Sequence, residues 1–137
     1  MSKPSLTFQL QTSCRSTMVD ITVRVQELLR RSGVQNGIGV VYSPHTTAGI
    51  LINENCDPDV VSDTLLWLNE IAPRLHPGFR HNEGNSDSHI KTNLVGSSVQ
   101  VLVENGELCL GTWQGIFLAE FDGPRTREVW VKFLNQR

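Results

Sequence analysis

"GIFLAEFDGPRTREVWVKFL" occupies residues 115–134. Two apolar runs rich in aromatic and branched side chains flank Asp122-Gly123-Pro124-Arg125. Such runs read as strands, and the Gly–Pro pair between them is a turn signature. Taken locally, the two strands form one antiparallel pair joined at that turn. Immediately upstream, "SVQVLVENGELCLGTW" (98–113) reads as a hairpin, because Asn105–Gly106 supplies the positive φ angles of a tight turn.

The pattern continues towards the N-terminus. "SLTFQLQT" (5–12) alternates Leu6, Phe8 and Leu10 with polar residues, as a half-buried strand does. "MVDIT" (18–22) is a short second strand. "TVRVQELLRRSG" (22–33) reads as a helix, with Thr22 as N-cap, an apolar stripe of Val25, Leu28 and Leu29, and Gly33 as the stop. "GIGVVYS" (37–43) and "TAGILIN" (47–53) are strands around a Pro44–His45 turn. "CDPDVVSDTLLWLNEIAP" (56–73) is the clearest helix, capped by Asp57, with Pro58 in its first turn and Val60, Trp67, Leu68 and Ile71 mainly on one face. Residues 73–89 read as a long polar loop, and "IKTNLVG" (90–96) as a helical turn. The sum is an α+β fold of about seven mostly antiparallel strands and two main helices. The 137 residues favour a single domain, 1–137.

Composition narrows the classes. A formal net charge of −2 and the absence of a basic stripe argue against nucleic-acid binding. No apolar run approaches the ~20 residues of a membrane span. The opening residues alternate like a strand and lack the apolar core of a signal peptide. Three scattered cysteines, Cys14, Cys56 and Cys109, form neither a disulfide framework nor a zinc knuckle, so a reducing, cytoplasmic location is expected. Cys56 precedes Asp57 and Asp59 and reads as unreactive.

Candidate chemistry concentrates in three segments. "SPHTTAGI" (43–50) puts His45, Thr46 and Thr47 where a core strand would be aliphatic, and Ala48–Gly49 leave room for a ligand. "HNEGNSDSH" (81–89) offers His81, Glu83, Asp87 and His89 within nine positions. Imidazoles suit zinc, nickel, copper or iron, and carboxylates suit magnesium or manganese, although a solvated polar loop has the same composition. His76 reads as an ordinary packed histidine. Glu54, between a strand and a helix, is a candidate base or ligand, or else a surface carboxylate. In "GTWQGIF" (111–117), Gly111 and Gly115 mark a bulge or a close backbone approach, and Thr112 and Gln114 could meet an anion. Gln114 is also a candidate partner for the Trp113 indole N–H. Lys91, Arg125 and Arg127 are the nearby cations for phosphate.

The motifs "HTTAGILINEN" with Asp57–Pro58, "RHNEGNSDSHIK" (80–91), "LVG" (94–96) and "GTWQGIFLAEFDGPR" (111–125) together resemble the YjbQ-like family, grouped with secondary thiamine-phosphate synthases. The resemblance covers nearly the whole chain. It implies a two-sheet β-sandwich assembled as a homotrimer. Burial against neighbours would then explain apolar residues on both faces of 127–134 (Val129, Trp130, Val131, Phe133). It further implies a transferase that joins a hydroxymethylpyrimidine diphosphate to a thiazole phosphate and releases pyrophosphate. On that reading His45, Glu54, Asp87 and His89 are catalytic, and Lys91, Thr112, Gln114 and Arg125 bind the small phosphorylated substrate. His45, His81 and His89 would hold a divalent metal, zinc or magnesium. A three-histidine set favours zinc and hydrolysis of a phosphate or ester; a trimer that only binds a metabolite is the non-enzymatic alternative.

Overall fold

A computed structural model describes residues 2–137. The chain folds into eight strands and three helices: β1 (Leu6–Gln11), β2 (Thr17–Asp20), α1 (Thr22–Ser32), β3 (Gly37–Tyr42), β4 (Ala48–Glu54), α2 (Pro58–Ile71), α3 (Ser86–Val95), β5 (Ser98–Glu104), β6 (Glu107–Cys109), β7 (Gln114–Glu120) and β8 (Thr126–Asn135). Two antiparallel sheets result, one ordered β1-β8-β3-β5-β6 and the other β2-β7-β4. Among the described residues, no helix is long and apolar enough to cross a membrane.

The two strands of 115–134 do not form a hairpin. β7 pairs with β2 and β4, whereas β8 pairs with β1 and β3. The segment Asp122–Arg125 therefore carries the chain from one sheet to the other. The reason lies in β7, whose residues from Gly115 to Glu120 are all buried. Ile116 and Leu118 join the main core, which includes Val41, Val103, Val129 and Val131 from the facing sheet. On the opposite side Ala119 and Phe121 pack with Leu68 of α2. The two edges of β7 are taken by β2 and β4, so no edge is left for β8.

Helix α1 buries Val25, Leu28 and Leu29, as its periodicity predicts, and ends at Gly33 with φ 74°. Its N-cap is Ile21, without a side-chain cap, rather than Thr22. The Thr22 hydroxyl instead bonds Asp20 Oδ1 at 2.6 Å and accepts from the Ile116 amide at 2.9 Å, stitching the helix start to β7. In α2, Asp57 caps as expected by accepting from the Asp59 amide at 2.9 Å. Of the apolar face expected for α2, only Leu68 is buried, and Trp67 is 61% exposed. The helical turn expected at 90–96 is longer, since α3 begins at Ser86 and absorbs the end of the polar loop.

Gly49 makes a close approach, but to the protein itself. A Cβ there would overlap the Gly96 carbonyl oxygen and touch Val95 Cγ1 at 3.0 Å. That carbonyl accepts from the Ile50 amide at 3.1 Å, so the α3–β5 connection is bonded onto β4. Gly49→Ala should cost about 1–3 kcal/mol from overpacking, read as a lower thermal midpoint. A midpoint equal to wild type would show that this contact is loose.

Candidate functional site

The β3–β4 connection, the 81–89 segment and the sheet-to-sheet crossover meet around one open polar cavity of about 400 Å³. His45, Thr46 and Thr47 line it from one side, His81, Glu83, Asn85 and His89 from a second, and Asp122, Arg125 and Arg127 from a third. Its volume lies within the roughly 300–1,000 Å³ typical of small-molecule sites.

The three histidines expected to gather do so. His81 and His89 have ring centroids 5.3 Å apart and nearly perpendicular planes. His45 is held differently, because its Nε2 accepts the Glu128 amide at 2.8 Å. A flipped ring would put a carbon against that N–H, so the bond fixes both orientation and tautomer. The neutral ring then carries its proton on Nδ1. Burial lowers the His45 pKa, and the neighbouring Arg127 cation lowers it further. Among the described residues, no set of three or more His, Cys, Asp or Glu side chains is placed to hold a metal ion. The ligand set His45, His81 and His89 is thus not assembled as expected: the three share a cavity, but His45 presents an N–H donor rather than a lone pair.

Below the cavity is a buried ion pair across the two sheets. Glu120, at the end of β7, and Arg127, near the start of β8, are 0% and 4% exposed. Arg127 Nε donates to Glu120 Oε1 at 2.8 Å, and its Nη2 donates to Glu120 Oε2 and to Thr47 Oγ1, the latter at 2.9 Å. Thr12 Oγ1 and the Asp122 amide also donate to Glu120, at 2.7 and 3.0 Å. Burial alone would raise the Glu120 pKa, but the Arg127, Asp122 and Thr12 donors more than offset it and the carboxyl lies below its usual range. At the rim, Asp122 Oδ2 accepts from Asn85 Nδ2 at 2.8 Å and from Arg125 Nη2 at 3.0 Å.

Asp87 and Lys91 take a structural place instead. Both are on α3, one turn apart, with side chains 0% and 1% exposed. Lys91 Nζ donates to Asp87 Oδ2 at 2.9 Å and to Asn69 Oδ1 at 2.7 Å. Arg15 makes a two-pronged contact with Asp87, both bonds at 3.0 Å. Burial pushes the Asp87 carboxyl up, but the Arg15 and Lys91 hydrogen bonds outweigh it and bring its pKa down to about 2. Neither group lines the cavity. Both side chains are buried against each other and their neighbours, away from a substrate in the cavity.

The remaining expected site residues lie at the other end of the small sheet. Glu54 is aligned with Gln114, whereas Ala48, beside the cavity, is aligned with Glu120. Six residues of strand separate these ends by roughly 20 Å. Gln114 Oε1 accepts from the Gly111 amide at 2.8 Å, Thr112 is exposed, and Trp113 is 60% exposed, so Gln114 does not satisfy its indole. Gly115 meets the Asn55 side chain, not a ligand. Cys56 is exposed. His76 Nδ1 accepts from the Gly78 amide at 2.9 Å, outside the cavity.

Two cavity residues, Asn85 and Asp122, and the buried Glu120 below them are not evident from the sequence alone. Glu120 did leave a signal. A lone acid inside "IFLAEF" must be paired if that strand is buried.

Comparison with known proteins agrees with this architecture. Residues 6–136 match the family described as UPF0047 protein YjbQ-like. The UPF0047 protein YugU of Bacillus subtilis is 51% identical over 128 residues, 93% of this chain and 97% of that protein. UPF0047 protein MJ1081 of Methanocaldococcus jannaschii is 49% identical over 130 residues, 95% and 94% of the two chains. A crystal structure of an uncharacterized conserved YjbQ/UPF0047 protein from Clostridium acetobutylicum superposes with a TM-score of 0.92 at 51% identity, covering 94% of this chain and 99% of the other. A YjbQ-like protein of unknown function from Sulfolobus solfataricus keeps a TM-score of 0.90 at 32% identity, covering 95% of both chains. With the match spanning both sheets and all three helices, the chain belongs to the YjbQ-like UPF0047 family.

Proposed function

We propose that the cavity binds a small phosphorylated molecule and that the protein is a transferase of the thiamine-phosphate synthase type. The observation that carries this reading is the convergence of three imidazoles and two guanidinium groups on one open cavity. In the reaction, the bond between the pyrimidine methylene carbon and the diphosphate oxygen breaks, and its electrons leave with pyrophosphate. The thiazole nitrogen lone pair then bonds that carbon. Such a step needs charge stabilisation at the leaving group and little acid–base chemistry. His81, His89, Arg125 and Arg127 are the groups placed to supply it. With Asp87 and Glu54 outside the cavity and Asp122 engaged by Asn85 and Arg125, Glu83 is the carboxylate left to a magnesium ion beside the diphosphate.

The test is direct. Purified protein is incubated with the two precursors and Mg²⁺, and thiamine phosphate is quantified chromatographically. Product should form, and His89→Ala should lower kcat/KM at least about 100-fold. No product from folded, metal-supplied protein ends this reading.

A second reading, metal-dependent hydrolysis of a phosphate or ester, is favoured by one observation. Two imidazoles on one tetrahedral zinc, with Zn–N of about 2.0 Å, place their ring centroids roughly 5 Å apart. The His81–His89 separation of 5.3 Å fits. These two would hold the ion, which would supply an activated water; among the described residues no third His, Cys, Asp or Glu side chain is placed to join them. Elemental analysis of protein purified without chelator decides: stoichiometric zinc that His81→Ala abolishes supports hydrolysis, and metal-free protein removes it.

Self-association belongs to the same proposal. Ile38, Leu102 and Leu134 are aligned across three adjacent strands of the large sheet and are 40%, 62% and 55% exposed. An outward aliphatic row of this kind marks an interface. Sedimentation should give a trimer, and Leu102→Lys should shift it towards monomer. A monomeric wild-type protein would refute it.

A further inference from the structure

The two guanidinium groups at the cavity are not equivalent. The Arg125 side chain is 52% exposed and leans on Asp122. Arg127 is 4% exposed, and its Nε and Nη2 are fixed by Glu120 and Thr47. Among the described residues, no group pairs with Arg127 Nη1. That nitrogen is not sealed in either: among the described residues, the buried side-chain atoms without a partner are Asn85 Oδ1 and Trp130 Nε1. Since Arg127 lines the cavity, its Nη1 edge is the part that opens there.

His45 offers a second fixed donor next to it. Its ring is anchored through Nε2 to the amide of Glu128, the residue after Arg127. The N–H on Nδ1 is the ring's remaining polar edge, and His45 lines the same cavity. Ring and guanidinium are therefore both tied to β8, and Thr47 fastens the guanidinium from the turn before β4. Neither group needs to reorganise when an anion arrives. Donors fixed before binding are worth more than mobile ones, because their ordering has been met by the fold.

We propose that Arg127 Nη1 and His45 Nδ1–H form a rigid oxyanion subsite that receives the phosphate or diphosphate end of the substrate. The subsite rests on the reading that the ligand is phosphorylated, and it makes Arg127, not the exposed Arg125, the principal anion anchor. Glu120 holds the fork in register and neutralises most of its charge, so recognition depends on directional hydrogen bonds.

Calorimetric titration of the full-length protein with inorganic pyrophosphate tests it, with acetate as a control anion. The pair replacement Glu120→Leu with Arg127→Met removes both buried charges while preserving volume, a change that folds often tolerate. It should weaken pyrophosphate binding at least about tenfold. His45→Phe, which keeps ring packing, should weaken it several-fold, and Arg125→Met less than either. Should the pair replacement fail to fold, Arg127→Lys keeps the buried charge but loses the second fork edge, and the same tenfold loss is expected.

Wild-type affinity in these variants, a dominant effect of Arg125→Met, acetate binding as tightly as pyrophosphate, or no pyrophosphate binding by the wild type would each overturn the subsite. Failure of the transferase reading looks different. Arg127-dependent pyrophosphate binding without thiamine phosphate formation removes the reaction and leaves the subsite. Product formation at unchanged KM by the pair replacement removes the subsite and leaves the reaction.

Discussion

Replacing Asp87 with alanine should lower stability by about 3–5 kcal/mol, because it strands a buried ammonium and the fork of Arg15 without their acceptor. For a domain of this size that corresponds to a thermal midpoint lower by roughly 10–15 °C, measurable by calorimetry or circular dichroism. The same carboxylate sets an acid limb. Its folded pKa of about 2 lies below the 3.8 of an unperturbed aspartate, so the unfolded chain binds more protons between those values. Stability from this group is complete above about pH 4 and declines as pH falls towards 2, by about 2 kcal/mol in all. Asp87→Asn should therefore be less stable at neutral pH and should lack this part of the acid dependence. A variant within 1 kcal/mol of wild type, with the acid limb intact, would mean that the carboxylate is solvated.

Glu120→Leu should be comparably damaging, for the same physical reason, at a different place. It leaves Arg127, 4% exposed, with a buried positive charge and only Thr47 as acceptor. Loss of one member of a buried pair typically costs about 3–5 kcal/mol. Adding Arg127→Met should recover much of that loss, since two apolar side chains of similar volume replace two charges that no longer need solvation. The pair links the last residue of β7 to β8, so the single variant should also loosen the junction between the sheets. Hydrogen exchange should rise at the Phe121 and Asp122 amides, which donate to Thr47 and Glu120 respectively. If the separate costs of Glu120→Leu and of Arg127→Met alone add up to the cost of the pair replacement, the two charges are not coupled.

Much of the local architecture was legible. Alternation marked β1, the Asn105–Gly106 turn marked the β5–β6 hairpin, and Asp57–Pro58 marked the start of α2. These features depend on neighbours one to four residues away. Where the reading failed, the deciding partner was distant. The onset of α3 at Ser86 was hidden because "NSDSH" has loop-like composition. Its helix is held by burial of Asp87, Ser88 and Lys91 among polar partners rather than by an apolar stripe. Trp67 and Ile71 looked like core residues because periodicity reports an apolar face without reporting what covers it.

The candidate site divides in the same way. His45, His81 and His89 stood out as polar residues in unusual settings, and the fold does bring them to one cavity. Glu54 and Gln114 stood out equally, yet they share a register pair at the far end of the small sheet. Sequence gives no length scale between two strand ends until the register is known. The choice between a hydrogen-bond donor and a metal ligand at His45 was likewise invisible, because a backbone amide 83 positions away makes it.

By itself, then, the sequence determined where most helices and strands form, that they compose an α+β domain of this family, and which segments carry the candidate chemistry. Those are short-range properties of side-chain pattern and turn stereochemistry. Only the tertiary structure decided that β7 and β8 part into different sheets, that Asp87 and Lys91 neutralise each other, and that Arg127 pairs with Glu120 at the cavity wall. Each of those outcomes is fixed by burial and by long-range charge pairing, and neither is encoded in the spacing of residues along the chain.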